Sequence, residues 1–600
     1  MTTVVSHAAI VGDTTSVRKV RRALVSVFDK TKIVEFGKFL DSQNIEILST
    51  GGTFKKLTQA GIPVTAVDDY TGSPEILNGR VKTLHPKIHG GILAVRGNAE
   101  HAAEMEAHGV KAIDMVVVNL YPFNETVAKK NTTFLTAMEN VDIGGPTMLR
   151  ASAKNNAAVI CVTSPEQYEP LMKIMLENDG ATTFELRKEF AAAAFAHSAA
   201  YDAAINEYFS KELHAPAPIQ NRQYTRIMEL KYGCNPHQKP ASLSTVGNLK
   251  SPFTILNGRP GYINLLDAAN AWQLVLELRQ SLNMPSAASF KHVSPAGAAV
   301  AVPLSEEEAI AYNVVGKELT PSALAYLRAR NADPMSSFGD FAALSDVVDE
   351  QTAMYLKTQV CDGIVAPGYD PQALEILIKK KGGKFIVLQA DPAFVAPDVE
   401  YREVFGMGFM QKRNTEIITT DRLGTVTTTT KDLPDSARRD LVVASIAIKY
   451  TQSNSVGYAK NGQVVGVGAG QQSRVDCVKL AGRKVALWAL RMHPKVMSLP
   501  FKAGIKSQEK VNARVRYIEG DMTEVERPGF EAMFESIPEP LSAAEKLEYM
   551  NNFTGVSMSS DAFFPFRDNI DHASKFGVQY VTQPGGSVQD DAVTAACDEY

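Results

Sequence analysis

Through the first 165 residues, short apolar runs alternate with stretches of helical spacing, and few architectures admit that order. Ala23–Phe28, Ile45–Leu48, Val64–Val67, Met115–Val118 and Val159–Val162 are largely apolar at successive positions instead of every second one, the pattern of strands buried on both faces. Lys32–Leu40 and Phe54–Gln59 carry helical spacing between them. A parallel sheet covered by helices satisfies both observations. From Thr183 to Leu213 an Ala-rich stretch predicts a long helix. Its Phe190, Ala194, His197, Tyr201, Ile205 and Tyr208 fall near one face, which makes His197 a core or interface residue rather than a ligand. His214-Ala-Pro-Ala-Pro-Ile then reads as a linker and sets a domain boundary.

Six hundred residues exceed what one hydrophobic core supports. The expected division is a flexible extension over 1–22, a first domain with its helical linker over 23–215, and a second domain over 216–600. The extension closes with Arg18, Lys19, Arg21 and Arg22 but has little amphipathic order, so a cytosolic protein is expected, with organelle import as the alternative. A formal net charge of −4 gives no support to a nucleic-acid partner, so any phosphate must be held locally by a few cations and backbone N–H groups. No apolar stretch reaches the length of a membrane span. The five cysteines lie far apart without a C-x-x-C pair, which disfavours a disulfide framework and a zinc site.

In the second half, Asn461-Gly462 between Ser455–Ala459 and Val464–Val467 predicts a hairpin. Gly466-Val-Gly-Ala-Gly470 is not a dinucleotide fingerprint: the spacing is G-x-G-x-G, its strand comes from a hairpin, and no acid lies about twenty residues on. Those glycines are expected to let backbone approach a ligand or a neighbouring strand. Strand–turn–helix units around Lys291 and from Asp561–Phe566 into Arg567–Lys575 suggest an internally duplicated α/β fold.

Candidate sites gather at the expected strand ends, where open α/β sheets bind ligands. Ser26, Asp29 and Lys30 follow the first strand, and Thr50-Gly51-Gly52-Thr53 follows the second and opens a helix, a combination suited to a phosphate. In Gly79-Arg-Val-Lys-Thr-Leu-His-Pro86, Arg80 and Lys82 alternate along an extended segment and so face one side, with Thr83 next to them. Asn119-Leu-Tyr-Pro-Phe123 contributes Asn119 and Tyr121, while Asp142 precedes a helix start at Gly144-Gly-Pro146; packing and helix capping would account for these equally. Lys154 lies twelve positions beyond Asp142, about 18 Å along a continuous helix, so the two share a site only if the helix is short or the Lys reaches back. In Ser289-Phe-Lys-His-Val-Ser-Pro-Ala-Gly297, a buried strand ends in a tight turn where a helix N-terminus can bind an anion. The ammonium of Lys291 beside the imidazole of His292 favours a neutral base.

Together the strings S-V-F-D-K, S-T-G-G-T, G-R-V-K-T-L-H-P, N-L-Y-P-F, D-I-G-G-P-T-M-L-R-A-S-A-K-N, Y-G-C-N-P-H-Q, S-F-K-H-V-S-P-A-G, S-S-F-G-D-F, K-Y-T-Q-S-N-S-V, G-Q-Q-S-R and D-A-F-F-P-F-R-D occur in one order from about Ala23 to the C-terminus. In this the chain resembles the bifunctional purine-biosynthesis enzymes that join AICAR transformylase to IMP cyclohydrolase. The resemblance implies an α/β fold with an N-terminal methylglyoxal-synthase-like parallel-sheet domain and a C-terminal transformylase of duplicated cytidine-deaminase-like α/β units. It implies a homodimer with the transformylase site near the subunit interface. It also implies formyl transfer from 10-formyltetrahydrofolate to AICAR, giving FAICAR, followed by dehydrative ring closure to IMP. No metal is required, and a bound monovalent cation such as K+ is compatible with it.

By the same resemblance His292 is the base that takes the amine proton, Lys291 steadies charge on the formyl oxygen, and Asn454 bonds the reacting groups. Lys231, Tyr232, Asn264, Asp340 and Arg474 match nucleotide-contacting positions. For ring closure, Lys82 and Tyr121 are candidates to stabilise the oxyanion, and Asp142 and Lys154 to position the amide and move protons. Ser26, Lys30, Thr50, Gly51, Thr53, Arg80 and Thr83 would hold the ribose phosphate. Lys231 stands where Arg is usual, replacing a fork with a point charge. The Arg- and His-bearing tail that the resemblance places beyond the C-D-E at Cys597 is not in the sequence to Tyr600. Rival readings are a methylglyoxal-synthase-like phospho-sugar lyase or a nucleotide-sensing module for the first half. For the second the rival is a zinc deaminase, against which the unpaired cysteines argue.

Overall fold

The structure, a computed structural model, describes residues 17–214, 219–247 and 249–600; most of the expected extension and of the expected linker lies outside the described residues. The chain divides into two compact units, Met1–Gln223 and Tyr224–Tyr600.

Five strands form the sheet of the first unit: β1 (Arg22–Val27), β2 (Glu46–Ser49), β3 (Thr65–Ala66), β4 (Met115–Asn119) and β5 (Ile160–Val162), in the order β3-β2-β1-β4-β5 and all parallel. The helices that position the site are α1 (Ile33–Ser42), α2 (Gly51–Gln59), α3 (Gly144–Lys154) and α4 (Phe184–Glu212). The unbroken apolar runs have a simple cause. Ala23, Val25, Val27, Met115 and Val117 pack on Ile33, Phe36 and Leu40 of α1. Leu24, Val116 and Val118 point the other way, onto Met148 and Leu149 of α3. Both faces lose water, and each buried Val or Leu contributes about 1.5–3 kcal/mol.

Two local expectations change. Only Thr65–Ala66 of the expected Val64–Val67 strand is extended, because Val67 opens the short helix Val67–Thr71, whose first turn carries Asp68 and Asp69. The basic residues before β1 are not all loose. Arg18–Lys19 pairs antiparallel with Ala181–Thr182, and the Arg22 guanidinium bonds Glu46 and the carbonyl of Ala112. Helix α4 starts at the expected place, with the Thr183 hydroxyl accepting the Leu186 N–H at 3.2 Å. His197 is partly buried on it, its Nε2 bonds nothing, and burial lowers its pKa, which suits a neutral core histidine.

The second unit holds a mixed ten-stranded sheet. Its elements are β6 (Phe253–Asn257), α5 (Tyr262–Leu282), β7 (Ser286–Lys291), β8 (Ser294–Val300), α6 (Pro321–Ala332), β9 (Asp340–Leu344), α7 (Glu350–Thr358), β10 (Cys361–Ala366), α8 (Pro371–Lys379) and β11 (Ile386–Ala390). There follow α9 (Asp435–Lys449), β12 (Ser455–Lys460), β13 (Gln463–Ala469), α10 (Arg474–Leu490), α11 (Ser507–Glu519), β14 (Val556–Ser560), α12 (Asp568–Ala573), β15 (Val578–Thr582) and α13 (Asp590–Glu599). The strand order is β6-β11-β10-β9-β7-β8-β13-β12-β14-β15. The run α5-β7-β8-α6-β9-α7-β10 is repeated as α9-β12-β13-α10-β14-α12-β15, with the same sequence of antiparallel and parallel pairings.

Side chains repeat with it. A methyl on Gly297 of β8 would lie 2.1 Å from the carbonyl oxygen of Ala329 in α6, and one on Gly466 of β13 would lie 2.4 Å from that of Ala481 in α10. Glycine therefore lets helix backbone press on sheet backbone at equivalent places. Within the Gly466–Gly470 stretch, Gly466 and Gly468 make their close backbone approach to helix α10 and not to a strand. Gly466→Ala should cost about 3 kcal/mol, since a backbone carbonyl has no rotamer to yield, and a lowered melting temperature checks this.

The first two strands of each repeat are joined by a tight hairpin turn. Asn461 and Gly462 both have positive φ (52° and 73°), as a two-residue turn between twisted strands demands. His292 and Val293 occupy the equivalent turn with φ of 52° and 63°. The unit expected around Lys291 is thus strand–turn–strand: Ser294-Pro-Ala-Gly297 lies in β8, and no helix N-terminus follows the turn.

Candidate active sites

In the first unit, candidate residues converge where β1, β2 and β4 end. Helix α2 begins directly after β2, and its first backbone bond runs from Phe54 N–H to the Thr50 carbonyl at 3.1 Å, leaving the N–H groups of 51–53 outside the helical ladder. A methyl on Gly52 would lie 3.7 Å from Lys30 Nζ, and one on Gly51 would lie 3.6 Å from Lys82 Nζ. The Ser26 and Thr50 hydroxyls are 3.5 Å apart at the same end. Two ammonium groups, a helix N-terminus and two hydroxyls thus gather at one end of the sheet. Although the Lys30 ammonium also donates to the Val27 and Phe28 carbonyls at 3.2 and 3.0 Å, its third N–H and its charge leave the group able to hold a dianion. Lys82 is tied by a 3.1 Å ion pair to Glu75.

The Lys82 side adjoins the start of α3. A methyl on Gly144 would lie 3.1 Å from the Thr83 hydroxyl. Asp142 Oδ1 accepts the Gly145 N–H at 2.8 Å, and its backbone N–H donates to the Tyr201 hydroxyl at 2.7 Å. Burial pushes the Asp142 carboxyl above the usual range, against the lowering effect of the Gly145 and Tyr121 N–H groups. Such a carboxyl suits proton transfer better than a solvated one. Tyr121 is exposed, its ring edge-on to Phe28 at 5.5 Å.

Several expected ligand contacts are already spent inside the fold. The buried Thr53 hydroxyl donates to the Val27 carbonyl at 2.9 Å and accepts the Val27 N–H, tying α2 to β1. Asn119 Oδ1 accepts the Phe28 and Asp29 N–H groups at 2.6 and 2.9 Å while its Nδ2 donates to the Asp29 carbonyl, so it shapes the Lys30 loop. Thr83 is buried beneath α3. Arg80 does not share a side with Lys82: it follows a 3-10 turn with helical φ of −67°, not an extended segment, and its guanidinium pairs with Glu139 at the surface. Lys154 is exposed in the last turn of the unbroken eleven-residue α3, whereas Asp142 precedes the first. Within the chain this helix keeps them apart.

In the second unit, His292 is exposed on the β7–β8 turn, and the Lys291 ammonium donates to the Phe338 carbonyl. Beneath the turn lies a residue that sequence reasoning missed. Asp267 of α5 is buried and accepts the Val293 N–H at 2.6 Å. Burial pushes its carboxyl up to about 6, partly offset by Val293 and His292. Its signal was available: an acid inside the apolar stretch Leu265-Leu-Asp-Ala-Ala269, one turn beyond Asn264. Asn264 caps α5 by accepting the Gly261 N–H at 3.0 Å.

Because the folded pKa of Asp267 exceeds the unfolded value near 3.9, the folded state holds a proton the unfolded state has released between pH about 4 and 6. Stability is lost as pH rises through that window. Asp267→Asn keeps the acceptor for Val293 and should be more stable by about 2 kcal/mol at pH 7 and equal near pH 4, as melting curves against pH will show.

A second cluster forms where β12 begins and β14 ends. Arg474 donates to Asn454 Oδ1 at 2.8 Å, to the Ser560 hydroxyl at 2.8 Å and to Asp561. Asp561, also missed from sequence, is held below the usual carboxylate range by hydrogen bonds from Ser453, Arg474 and the Ser455 N–H and by the Arg474 charge, although burial opposes this. Asn454 and Arg474, with Phe563 and Phe566, line a cavity of about 510 Å³. Lys291 and His292 are not among its lining residues. Asp340 is fully buried, bonded to Arg330 at 2.6 Å and Ser289 at 2.5 Å, so it supports the core rather than presenting an oxygen to a nucleotide. Lys231 is exposed and Tyr232 half-buried, the ammonium 6.0 Å from that ring.

Two family models match the chain: one described as "AICARFT/IMPCHase bienzyme" over residues 152–484, and one described as "MGS-like domain" over residues 32–147. Among curated proteins, the "Bifunctional purine biosynthesis protein PurH" of Roseobacter denitrificans is 37% identical over 98% of this chain and 97% of its own length. The protein of that description from Rhodospirillum rubrum is 37% identical over 97% of this chain and 96% of its own. A solved structure described as "Crystal structure of ForH" covers 32% of this chain and 97% of its own at 36% identity, with a TM-score of 0.30.

Proposed function

The chain belongs to the AICARFT/IMPCHase bienzyme family, a premise from which we propose how its residues divide the two reactions. The protein is a bifunctional enzyme of purine biosynthesis. It transfers a formyl group from 10-formyltetrahydrofolate to AICAR and closes the FAICAR ring to IMP with loss of water.

Formyl transfer belongs to the second unit. The AICAR amine is a poor nucleophile because its lone pair is delocalised into the ring, so it must lose a proton as it attacks the formyl carbon. His292 takes that proton, and the bond between the formyl carbon and N10 of the folate breaks, tetrahydrofolate leaving with a proton on N10. Asp267 beneath the turn orients the His292–Val293 backbone through its 2.6 Å bond and places a carboxyl beside the imidazolium that forms. Lys291 steadies the formyl oxygen, and Asn454, fixed by Arg474, bonds the reacting groups. Lys231, Tyr232 and Asn264 complete the nucleotide contacts in this proposal.

Ring closure belongs to the first unit. The observation that carries this assignment is the convergence of Lys30 and Lys82 on the free N-terminus of α2, with the raised carboxyl of Asp142 nearby. The ribose phosphate rests on Lys30, Ser26, Thr50 and the N–H groups of α2. The carboxamide nitrogen attacks the formyl carbon, charge on its oxygen is met by Lys82 and Tyr121, and Asp142 passes a proton as water leaves. The test is to supply AICAR and the formyl folate and follow FAICAR and IMP separately. FAICAR that accumulates without IMP would overturn the assignment of the first unit. Homodimerisation, a cytosolic location and a monovalent cation such as K+ are further parts of this proposal, supported by the resemblance. The likeness of the two repeats to cytidine deaminases is another, supported by the repeated order of elements.

A further inference from the structure

The second unit holds a larger cavity than the one at Asn454 and Arg474. It has a volume of about 720 Å³ and lies between the C-terminal half of α6, the residue Arg491 just past α10, and the start of α11. No carboxylate lines it, whereas four cations do: Arg330, Arg491, Lys510 and Arg514. Arg330 is balanced by its 2.6 Å pair with Asp340. The other three have no ion-pair partner among the described residues. Arg491 donates only to Asn331, at 2.7 and 3.1 Å. Arg514 has its Nε buried without any hydrogen-bond partner. The nearest acid to act on Arg491, Asp333, is occupied by Lys484 at 3.1 Å and by Ser336.

A guanidinium N–H buried without an acceptor, as at Arg514 Nε, is costly, and a second guanidinium that repels it compounds the cost. Burial and the Arg491 charge both depress the Arg514 pKa. An anion entering the cavity would relieve both. The Phe501 ring lies under Lys510 and Arg514 at 5.6 and 5.7 Å, and Tyr355, Gln359 and Gln508 share the rest of the wall with aliphatic residues such as Leu327, Leu499 and Val511. The volume falls within the range of small-molecule sites.

We propose that this cavity binds a phosphate monoester of mononucleotide size, the phosphate on Arg491, Lys510 and Arg514 and the flat ring among Phe501, Tyr355 and the two glutamines. None of the residues assigned to either reaction lines it.

The test is calorimetric titration of the full-length protein with AMP and with inorganic phosphate, in wild type, Arg514→Met and Lys510→Met. Met keeps much of the stem of each side chain and removes its charge. One AMP equivalent per chain is expected to be weakened at least tenfold in both variants, with formyl transfer and ring closure in the absence of AMP within twofold of wild type. Inorganic phosphate is expected to bind the same site at least tenfold more weakly than AMP. Identical AMP isotherms in wild type and variants would overturn the proposal. Equal affinity for phosphate and AMP would overturn the nucleotide assignment and leave an anion site. If the variants do not fold, wild-type crystals soaked in AMP decide: density between Arg491 and Arg514 supports the site, and an empty cavity sinks it.

Discussion

Lys82→Ala lowers the rate of FAICAR ring closure about a thousandfold and leaves formyl transfer unchanged. Ring closure places negative charge on an oxygen that carries none in the ground state, so a fixed cation there acts mainly on the transition state, and loss of such a contact costs about 3–4 kcal/mol. Lys82 is positioned for this. It reaches from the Gly79 turn to the N-terminus of α2, and its pair with Glu75 holds it there. The kinetic signature separates this role from simple phosphate grip. A transition-state cation shows as a loss in kcat, whereas a ground-state phosphate ligand shows as a raised KM with kcat intact. The second pattern, or equal loss of both activities, would remove Lys82 from the chemistry.

His292→Ala is expected to do the converse, reducing formyl transfer by about 10²–10⁴-fold with ring closure of added FAICAR at the wild-type rate. The imidazole stands on a turn whose two residues have positive φ and whose backbone is pinned by the buried Asp267. The turn is thus shaped to project that side chain rather than to pack it. A variant that retains the formyl-transfer rate would show that another group takes the amine proton.

Much of the fold was legible because its determinants are local. Successive apolar positions in Met115–Val118 report burial on two faces from within four residues, and Asn461-Gly462 names its own turn. The same logic failed at Lys291. Ser294-Pro-Ala-Gly297 resembles loop punctuation, yet its Gly297 serves close packing against Ala329, a partner that no local window contains. It also read Val64–Val67 as a strand, although so short and largely apolar a run fits a strand or the start of a helix equally, and the fold uses it as both.

Sites were legible as chemistry but not as geometry. Thr53, Asn119 and Asp340 have the right groups for a ligand, and each spends them on the fold, on Val27, on Phe28 and Asp29, and on Arg330. Arg80 turns to Glu139, while α3 carries Lys154 away from Asp142. Asp267, Asp561 and the unpaired Arg514 gained meaning only from their surroundings. The sequence by itself determined the parallel sheet, the long α4, the hairpin of β12 and β13 and the residue types available for catalysis, since periodicity and turn preference act between near neighbours. Tertiary structure alone decided which of those groups remain free to meet a ligand. Hydrogen-bond partners and burial come from residues distant in the chain, and a donor already satisfied has nothing left to offer.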